Sequence, residues 1–582
     1  MHTPTPTAAY RATAARSRAL LAIFLLAGAG LAYEIALTRL FSLMFQYHYV
    51  YLIVSSAVAG LSIGAAVAAW ALRKGDVAWG DLAAAAVLLA ILLVGAAVVL
   101  SQLRSARLTG VALAAALLPF VAIGFLNSAI FARFAEAGGV LYAADLLGGA
   151  VGLVAVLGAL RWLGALDVVI ALGIVAGLVG MILAWTAAGR SARGWAAGAT
   201  AALVVLLVAN QAADLIAFEP ERLKDAPPDK TLMQVLENDD SAAIIETRWA
   251  PFARLDVVQT ADDSARYVFT DAGAGSVMIR FSGDDRRIAW LQQDTAYLPF
   301  TLAPETTKNV LILGAGAGQD VLMAHLAGAE QITAVEINPD LVDLTRDYSD
   351  YNGRVFDLPS VETVVTDGRN YVERSDAAYD LIYANLVYSQ AAAPASSALA
   401  ESYIFTREAL AAYWDHLSEN GRIGFVTHHG IEGLRLVGAA SAQLDHVGAG
   451  DYTDEIPVLD DRHLVLVAIY DQYLRDLLNQ REGQRLQAVA ANPLIKDWSK
   501  EFHHTYALAR VIAEQRPRIA ALLQQYSSYR LNGQELSSGG YFLNSTRQSR
   551  LGRSPTGQPY LTNNADVAHF VFLTVPQALT VV

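Results

Sequence analysis

Long apolar runs, broken by short arginine-bearing segments, fill the chain from Ala19 to about Phe218. Each run is about 20 residues, the length a helix needs to cross the hydrocarbon of a bilayer. The pattern predicts seven membrane helices, near 18–45, 49–72, 82–101, 109–131, 140–161, 165–187 and 195–217. The first is too long for a cleaved signal peptide and has no small-residue cleavage site followed by polar chain, so it is read as retained. Beyond Phe218 the pattern changes. Residues 219–230, with Pro220, Pro227, Pro228 and alternating charge, read as linker. Alternating or apolar stretches at 242–247, 253–260 and 266–270 predict a small antiparallel sheet. From Val310 onward short apolar strands at 310–314, 331–337, 361–366, 380–384 and 422–427 alternate with helical segments, including one at 403–417. That alternation predicts a doubly wound sheet whose ligand sits outside the carboxyl ends of its strands. Strands near 456–459, 462–470 and 567–575, helices near 471–490 and 504–525, and a Gly/Ser/Asn-rich stretch at 532–558 complete the reading.

At 582 residues the chain is too long for one core. Its expected organisation is a transmembrane domain at 1–218, a linker at 219–240, a small β-domain at 241–300, a Rossmann-like nucleoside-binding domain at 301–470 and a helical C-terminal extension at 471–582. Charge follows the same division. Up to Phe218 there are twelve Lys/Arg against seven Asp/Glu, and the remainder holds thirty against forty-eight, so the two parts carry +5 and −18 of the net −13. The acidic part argues against nucleic acid, whose phosphates call for basic surfaces, and tolerates a cationic substrate. With no cysteine, thiolate nucleophiles, disulfides and cysteine-ligated zinc are excluded.

Within the apolar part, small residues recur at helical spacing, as in Ser56, Gly60, Gly64 and Ala68 and in Gly148, Gly149 and Gly152, which lets helix backbones approach closely. Glu34 and Arg39 in the first span and Asp145 in the fifth are costly in hydrocarbon unless they pair or face a cavity. Glu34 and Arg39, five residues apart, point to different faces, so a pair between helices such as Arg39 with Asp145 is expected. Such a pair serves either as a structural clamp or as a pocket wall. The side of the membrane holding the N-terminus collects eight Arg/Lys against four on the other, which places it in the cytoplasm by the positive-inside rule. Seven spans then export the soluble half, where a cytoplasmic nucleoside cofactor is not expected. The cofactor argument is chemical and the charge bias only twofold, so the soluble half is expected in the cytoplasm of a cell with a bacterial-type inner membrane.

The carboxyl ends of the predicted strands carry the candidate chemistry. Gly314-Ala315-Gly316-Ala317-Gly318 opens a helix after the first strand, Glu336 ends the second, Asp367-Gly368 the third, Asn385 the fourth and His428-His429 the fifth. The glycines let backbone approach a cofactor, Glu336 is placed to accept two ribose hydroxyls, and Asp367 to accept from an exocyclic adenine amine. The segment 386–402, rich in Ala and Ser, is either a lid or an inert linker. The His428-His429 and His503-His504 pairs lack the ligand spacing of a metal site, and no metal is expected.

These residues resemble the spermidine synthase (polyamine aminopropyltransferase) family, particularly its membrane-fused branch. Leu31-Ala32-Tyr33-Glu34-Ile35-Ala36-Leu37-Thr38-Arg39-Leu40 and Leu141-Tyr142-Ala143-Ala144-Asp145-Leu146-Leu147-Gly148 look like signature segments of the membrane part. The glycine loop, Val335-Glu336-Ile337, Thr366-Asp367-Gly368-Arg369, Tyr379-Asp380-Leu381-Ile382 and Glu401-Ser402-Tyr403-Ile404-Phe405-Thr406 follow the family order. Trp249-Ala250-Pro251-Phe252 resembles part of its N-terminal β-domain. The resemblance implies a Rossmann-like methyltransferase fold. In it Gly314, Gly316, Ala317, Gly318, Glu336, Ile337, Asp367 and Gly368 bind S-adenosylmethionine or its decarboxylated form, and methylthioadenosine leaves.

The departures point the other way. Where relatives carry an aspartate in the glycine loop that holds a cationic tail, this chain has Ala317, and where they carry the aspartate that deprotonates the attacking amine it has Asn385, followed by Leu386, Val387 and Tyr388. An ammonium nucleophile must lose a proton before attack, and asparagine cannot take it. Three readings follow. The first is a transferase using another base, such as Asp320 or Glu401, with a small-molecule amine or amphiphilic acceptor. Losing the acid at Ala317 also suits a donor that keeps its carboxylate. The second is a sulfonium lyase, a cyclase or a methyltransferase, and the third a nucleoside sensor gating a membrane path lined by Glu34, Arg39 and Asp145. The expected surroundings are a lipid bilayer and no nucleic acid, with a homodimer as the candidate assembly.

Overall fold

The computed structural model describes residues 6–45, 48–186, 190–227, 230–301, 307–387 and 403–427, together with strands at 464–470, 530–531, 534–535 and 568–574. Seven helices occupy the N-terminal part: α1 (Pro6–Met44), α2 (His48–Lys74), α3 (Trp79–Ser101), α4 (Thr109–Arg133), α5 (Gly138–Leu163), α6 (Ala165–Ala184) and α7 (Arg190–Ala213). All seven are long and apolar enough to cross a membrane. Their positions follow the hydropathy pattern except at α1, which starts at Pro6 instead of near residue 18. The alanine-rich start, with Arg11, Arg16 and Arg18, is a good helix former that apolarity alone does not mark.

Close backbone approach organises the helices. A side chain on Gly60 of α2 would lie 2.6 Å from the Phe120 Cβ of α4, and one on Gly28 of α1 would lie 2.8 Å from the Gly148 carbonyl oxygen of α5. Gly152 meets Gly28, and Gly148 also meets Phe24, so α1 and α5 run parallel with a constant offset. A buried Asp167 in the first turn of α6 accepts from Asn210 Nδ2 at 2.6 Å and from Gln211, which clamps α6 to the end of α7.

The expected Arg39–Asp145 pair is not formed. In the α1/α5 register Asp145 stands level with the part of α1 about 18 residues before Arg39, a separation of about 27 Å at the helical rise. Two odd-numbered helices of an up-and-down bundle run the same way, so a charge near the end of one cannot meet a charge near the start of the other. Arg39 instead donates to the Phe252 carbonyl at 2.6 Å and lies 3.8 Å from Asp271, whose carboxylate also accepts from Ser42 at 2.9 Å. Lys230, buried beside them, donates to the Ser42 carbonyl and to that of Asp271. Glu34 and Asp145 have no hydrogen-bond or ion-pair partner among the described residues.

After α7 the segment 231–238 folds as α8 (Thr231–Asn238), with Leu232, Met233 and Val235 buried on one face, although it falls within the expected linker. Next come β1 (Ala243–Trp249), β2 (Arg254–Gln259), β3 (Ala265–Thr270) and β4 (Ala274–Ile279), neighbours in that order in a four-stranded sheet. The fourth strand escapes the sequence pattern because Ala274-Gly275-Ser276 opens it without alternation. The chain divides into two compact units within this sheet. Residues 1–240, 246–256 and 269–273 cluster as one unit, and 241–245, 257–268 and 274–582 as the other.

In the second unit, three 3-10 turns (Asp285–Arg287, Ala289–Gln293 and Thr295–Tyr297) and α9 (Leu298–Thr301) lead to the main sheet. Its elements are β5 (Asn309–Leu313), α10 (Gln319–Leu326), β6 (Gln331–Glu336), α11 (Pro339–Asp347), α12 (Ser349–Asn352), β7 (Val361–Val365), α13 (Gly368–Arg374), β8 (Tyr379–Asn385), α14 (Arg407–Asp415), β9 (Leu417–Thr427) and β10 (Leu464–Tyr470). Two short strands, β11 (Arg530–Leu531) and β12 (Gln534–Glu535), pair with each other, and β13 (Ala568–Thr574) closes the edge. The order is β13-β10-β9-β8-β5-β6-β7, parallel except for β10 with β13. The strand predicted at 567–575 thus joins the main sheet, and the sheet continues past residue 470. Val310, Leu311, Ile312 and Leu313 of β5 are fully buried, as a central parallel strand with both faces covered requires. The strand order reverses between β5 and β8, which makes the crevice beyond their carboxyl ends the ligand position.

Because Arg39 and Asp271 are both largely shielded, Arg39→Ala and Asp271→Ala are expected to be non-additive by about 0.5–1 kcal/mol in the thermal stability of the detergent-solubilised protein. Arg39→Ala and Asp145→Ala are expected to add. Additivity in the first pair would remove the ion pair from the account of this end of α1.

Candidate active site

At the switch point the chain leaves β5 through three glycines in left-handed conformations, Gly314 (φ 79), Gly316 (φ 55) and Gly318 (φ 95). Each also makes room for a side chain. A Cβ would lie 2.6 Å from Val387 at Gly314, against the Ser276 hydroxyl at Gly316, and 2.6 Å from Val355 at Gly318. These glycines therefore set the loop's course and admit neighbours, besides leaving backbone free for a cofactor. Ser276, on the strand the sequence pattern missed, accepts from the Ala317 N–H at 2.7 Å.

Glu336 ends β6, 6% exposed. Its two oxygens accept from the Gly316 N–H at 2.9 Å and the Asn338 N–H at 2.9 Å. Burial raises its carboxyl above the usual range, while the N–H groups of Asn338, Gly316 and Ile337 pull it back. A carboxylate has about four acceptor positions, so it can hold the loop and still receive ribose hydroxyls. Ile337 is exposed just beyond, and Val365, paired in register with Glu336, is exposed at the end of β7. Asp367 caps α13 by accepting from the Asn370 N–H at 2.9 Å, which engages one of its oxygens, and Gly368 packs on Leu313.

The family-like positions for acids carry other groups. Ala317 is buried, 1% exposed, and offers a methyl group. Asn385 ends β8 and donates Nδ2–H to Asp320 Oδ1 at 2.9 Å, whereas its own Oδ1 is buried and accepts from no described residue. Asp320, in the first turn of α10, is 6% exposed. Burial pushes its carboxyl up to about 7; the Asn385 amide opposes this, and the nearby Asp294 carboxylate adds to it. Asp294, 4% exposed, accepts from the Ala296 N–H at 2.9 Å. It lies between the predicted strand regions where no period marks it, so sequence reasoning passed over it, as it did Ser276. Leu386, next after Asn385, holds a left-handed φ of 49, a strained conformation for a bulky residue of the kind found at functional turns. Of the sequence candidates, Gly314, Gly316, Ala317, Gly318, Glu336, Asp320 and Asn385 converge on this crevice, with Ile337, Asp367 and Gly368 on the adjoining strand ends. Glu401, most of the 386–402 segment, the His428-His429 and His503-His504 pairs and the helices expected at 471–490 and 504–525 lie outside the described residues. No cluster of potential metal ligands occurs among the described residues.

Residues 292–460 match the spermine/spermidine synthase domain. The chain is also similar to polyamine aminopropyltransferases. It is 33% identical over 101 residues to aminopropyltransferase 2 of Hyperthermus butylicus, covering 17% of this chain and 33% of the relative. With the enzyme of Serratia proteamaculans it shares 37% over 83 residues, covering 14% and 29%. The chain thus spans about a third of the length of the curated relatives it matches. Among solved structures, the spermidine synthase of Thermotoga maritima aligns at 19% identity over 35% of this chain and 64% of its own, with a TM-score of 0.25. The match to the spermine/spermidine synthase domain thus falls in the C-terminal part of the chain and is preceded by seven apolar helices.

Replacing Glu336 by Ala is expected to weaken binding of methylthioadenosine, read by calorimetry, by about 1–3 kcal/mol, the scale of leaving buried polar partners unmet. Unchanged affinity would take Glu336 out of the site.

Proposed function

We propose that the protein is a membrane-bound, spermidine synthase-like transferase. It binds decarboxylated S-adenosylmethionine in the β5/β6 crevice, passes the aminopropyl group to an amine and releases methylthioadenosine. The observation that carries this reading is the glycine loop tied to a buried Glu336, within residues matched to this family. The choice of the decarboxylated donor rests on charge. Asp294 and Asp320 are both buried near the loop, so a donor that keeps its carboxylate would bring a like charge to them, whereas an ammonium tail is attracted. This outweighs the accommodation that the neutral Ala317 offers to intact S-adenosylmethionine.

In this reading the seven helices lie in a bacterial-type inner membrane with the soluble half in the cytoplasm. Trp70, Trp162, Trp185 and Trp195 stand exposed near helix ends, where aromatic belts meet a bilayer interface. The acceptor is a small amine or an amphiphile.

Incubation of the purified protein with each donor and putrescine is expected to yield methylthioadenosine from the decarboxylated donor only, and only when amine is present. Amine-independent release would favour lyase chemistry, and adenosylhomocysteine from S-adenosylmethionine would favour methylation. Because the chain has no cysteine, a single Glu362→Cys at an exposed position near the start of β7 reports sidedness. It is expected to react with a membrane-impermeant maleimide only after cells are opened; labelling in intact cells would place the soluble half outside.

A further inference from the structure

We propose that the proton acceptor of the reaction has moved from the end of β8 to the start of α10: Asp320 takes the proton of the attacking ammonium, Asn385 holds both partners in place, and Asp294 is a positioning residue for Asp320. The inference rests on the transferase reading above and assigns its base.

The geometry carries it. Asn385 stands at the β8 end, where the crevice opens beside the glycine loop. Its Nδ2–H is spent on Asp320 at 2.9 Å, which fixes the amide so that its buried Oδ1 is left as an acceptor without a donor among the described residues. A buried acceptor without a donor is costly, and an ammonium or amine N–H supplies one. The amide thus presents an acceptor to the nucleophile and a donor to the carboxylate next to it. An aspartate at 385 would combine both tasks; here they are divided between two side chains.

The step balances simply. The ammonium gives a proton to the ionised Asp320 carboxylate and becomes a neutral amine. The amine lone pair then attacks the carbon bonded to the sulfonium sulfur, the N–C bond forms and the C–S bond breaks. The sulfur keeps the bonding pair and leaves as the neutral thioether of methylthioadenosine.

The surroundings of α10 determine how readily Asp320 ionises. β4 and β5, packed against the helix, carry no ionisable side chain. β6 brings Glu336, already engaged by Gly316 and Asn338. The 355–357 turn brings Asp357, paired at its exposed face with Arg346, and α10 itself carries His325, paired with Asp285. On β8, Tyr383 donates to the Ala296 carbonyl at 2.8 Å. Asp294, following the 289–293 turn, is the neighbour whose charge acts on Asp320, and with burial it holds that carboxyl at about 7. A base poised near neutrality is suited to accept a proton there.

The test follows methylthioadenosine release from decarboxylated S-adenosylmethionine and putrescine between pH 5 and 9, beside thermal stability over the same range. Wild type is expected to show a rate rising through about pH 7. Asp320→Asn should lose at least about 100-fold in rate, the scale of a general base, with methylthioadenosine affinity kept. Asp294→Asn should move the rising limb to lower pH, which a merely structural role would not do. The folded state binds the Asp320 proton more tightly than the unfolded chain, so that stability is complete at acid pH and is lost as pH rises towards 7. Asp320→Asn should therefore gain melting temperature relative to wild type at pH 8 and not at pH 4, which separates a lost base from a lost fold. An unaltered rate and limb in Asp320→Asn, with wild type active, overturns the base assignment alone. No amine-dependent release by wild type overturns the transferase reading and the assignment with it.

Discussion

Glu336 is a carboxylate buried at the end of a central parallel strand, and it is tolerable there because backbone N–H groups meet it. By accepting from Gly316 and Asn338 it ties the loop after β5 to the turn after β6. The rest of the site depends on that tie. It holds the left-handed glycines in place, it allows Ser276 to reach the Ala317 N–H, and it begins α10 where Asp320 is carried in against Asn385. A single side chain thus sets both the course of the glycine loop and the position of the acid beside it.

The two halves of the chain use different physics for the same purpose. In the helical part Gly28, Gly60, Gly148 and Gly152 bring helix backbones into contact, the packing suited to a lipid environment that offers no hydrophobic drive between helices. In the second unit, burial of β5 on both faces does the work, and left-handed glycines shape the turn after it. Charges follow this division. Arg39 is satisfied by the Phe252 carbonyl and Asp271, while Asp320 is buried near Asp294, where burial raises its proton affinity.

Much of this was legible in the sequence, and the failures have physical causes. The seven apolar runs, the five strands from β5 to β9 and the acid ending β6 follow from period and spacing, because long apolar helices and a parallel sheet buried on both faces leave a direct imprint on composition. The Arg39–Asp145 pairing failed because helix position was considered without helix direction. β4 was missed because a strand opening on Ala274-Gly275-Ser276 has no alternation, and with it went Ser276. Asp294 was missed because a buried acid in an irregular segment is distinguished only by its neighbours. Asp320 was a candidate base by type, but its hydrogen bond to Asn385 is a tertiary fact that no spacing along the chain contains.

In the proposed reading the domain holds an adenosyl sulfonium donor, with the acid at Asp320 across the crevice from Asn385. The most direct measurement is turnover of the exchange variant Asp320→Asn with Asn385→Asp, which returns the acid to the end of β8. If the acid is needed at this locus, the exchange variant regains amine-dependent methylthioadenosine release relative to Asp320→Asn alone. Turnover as low as in the single variant, with nucleoside affinity unchanged, would contradict the account.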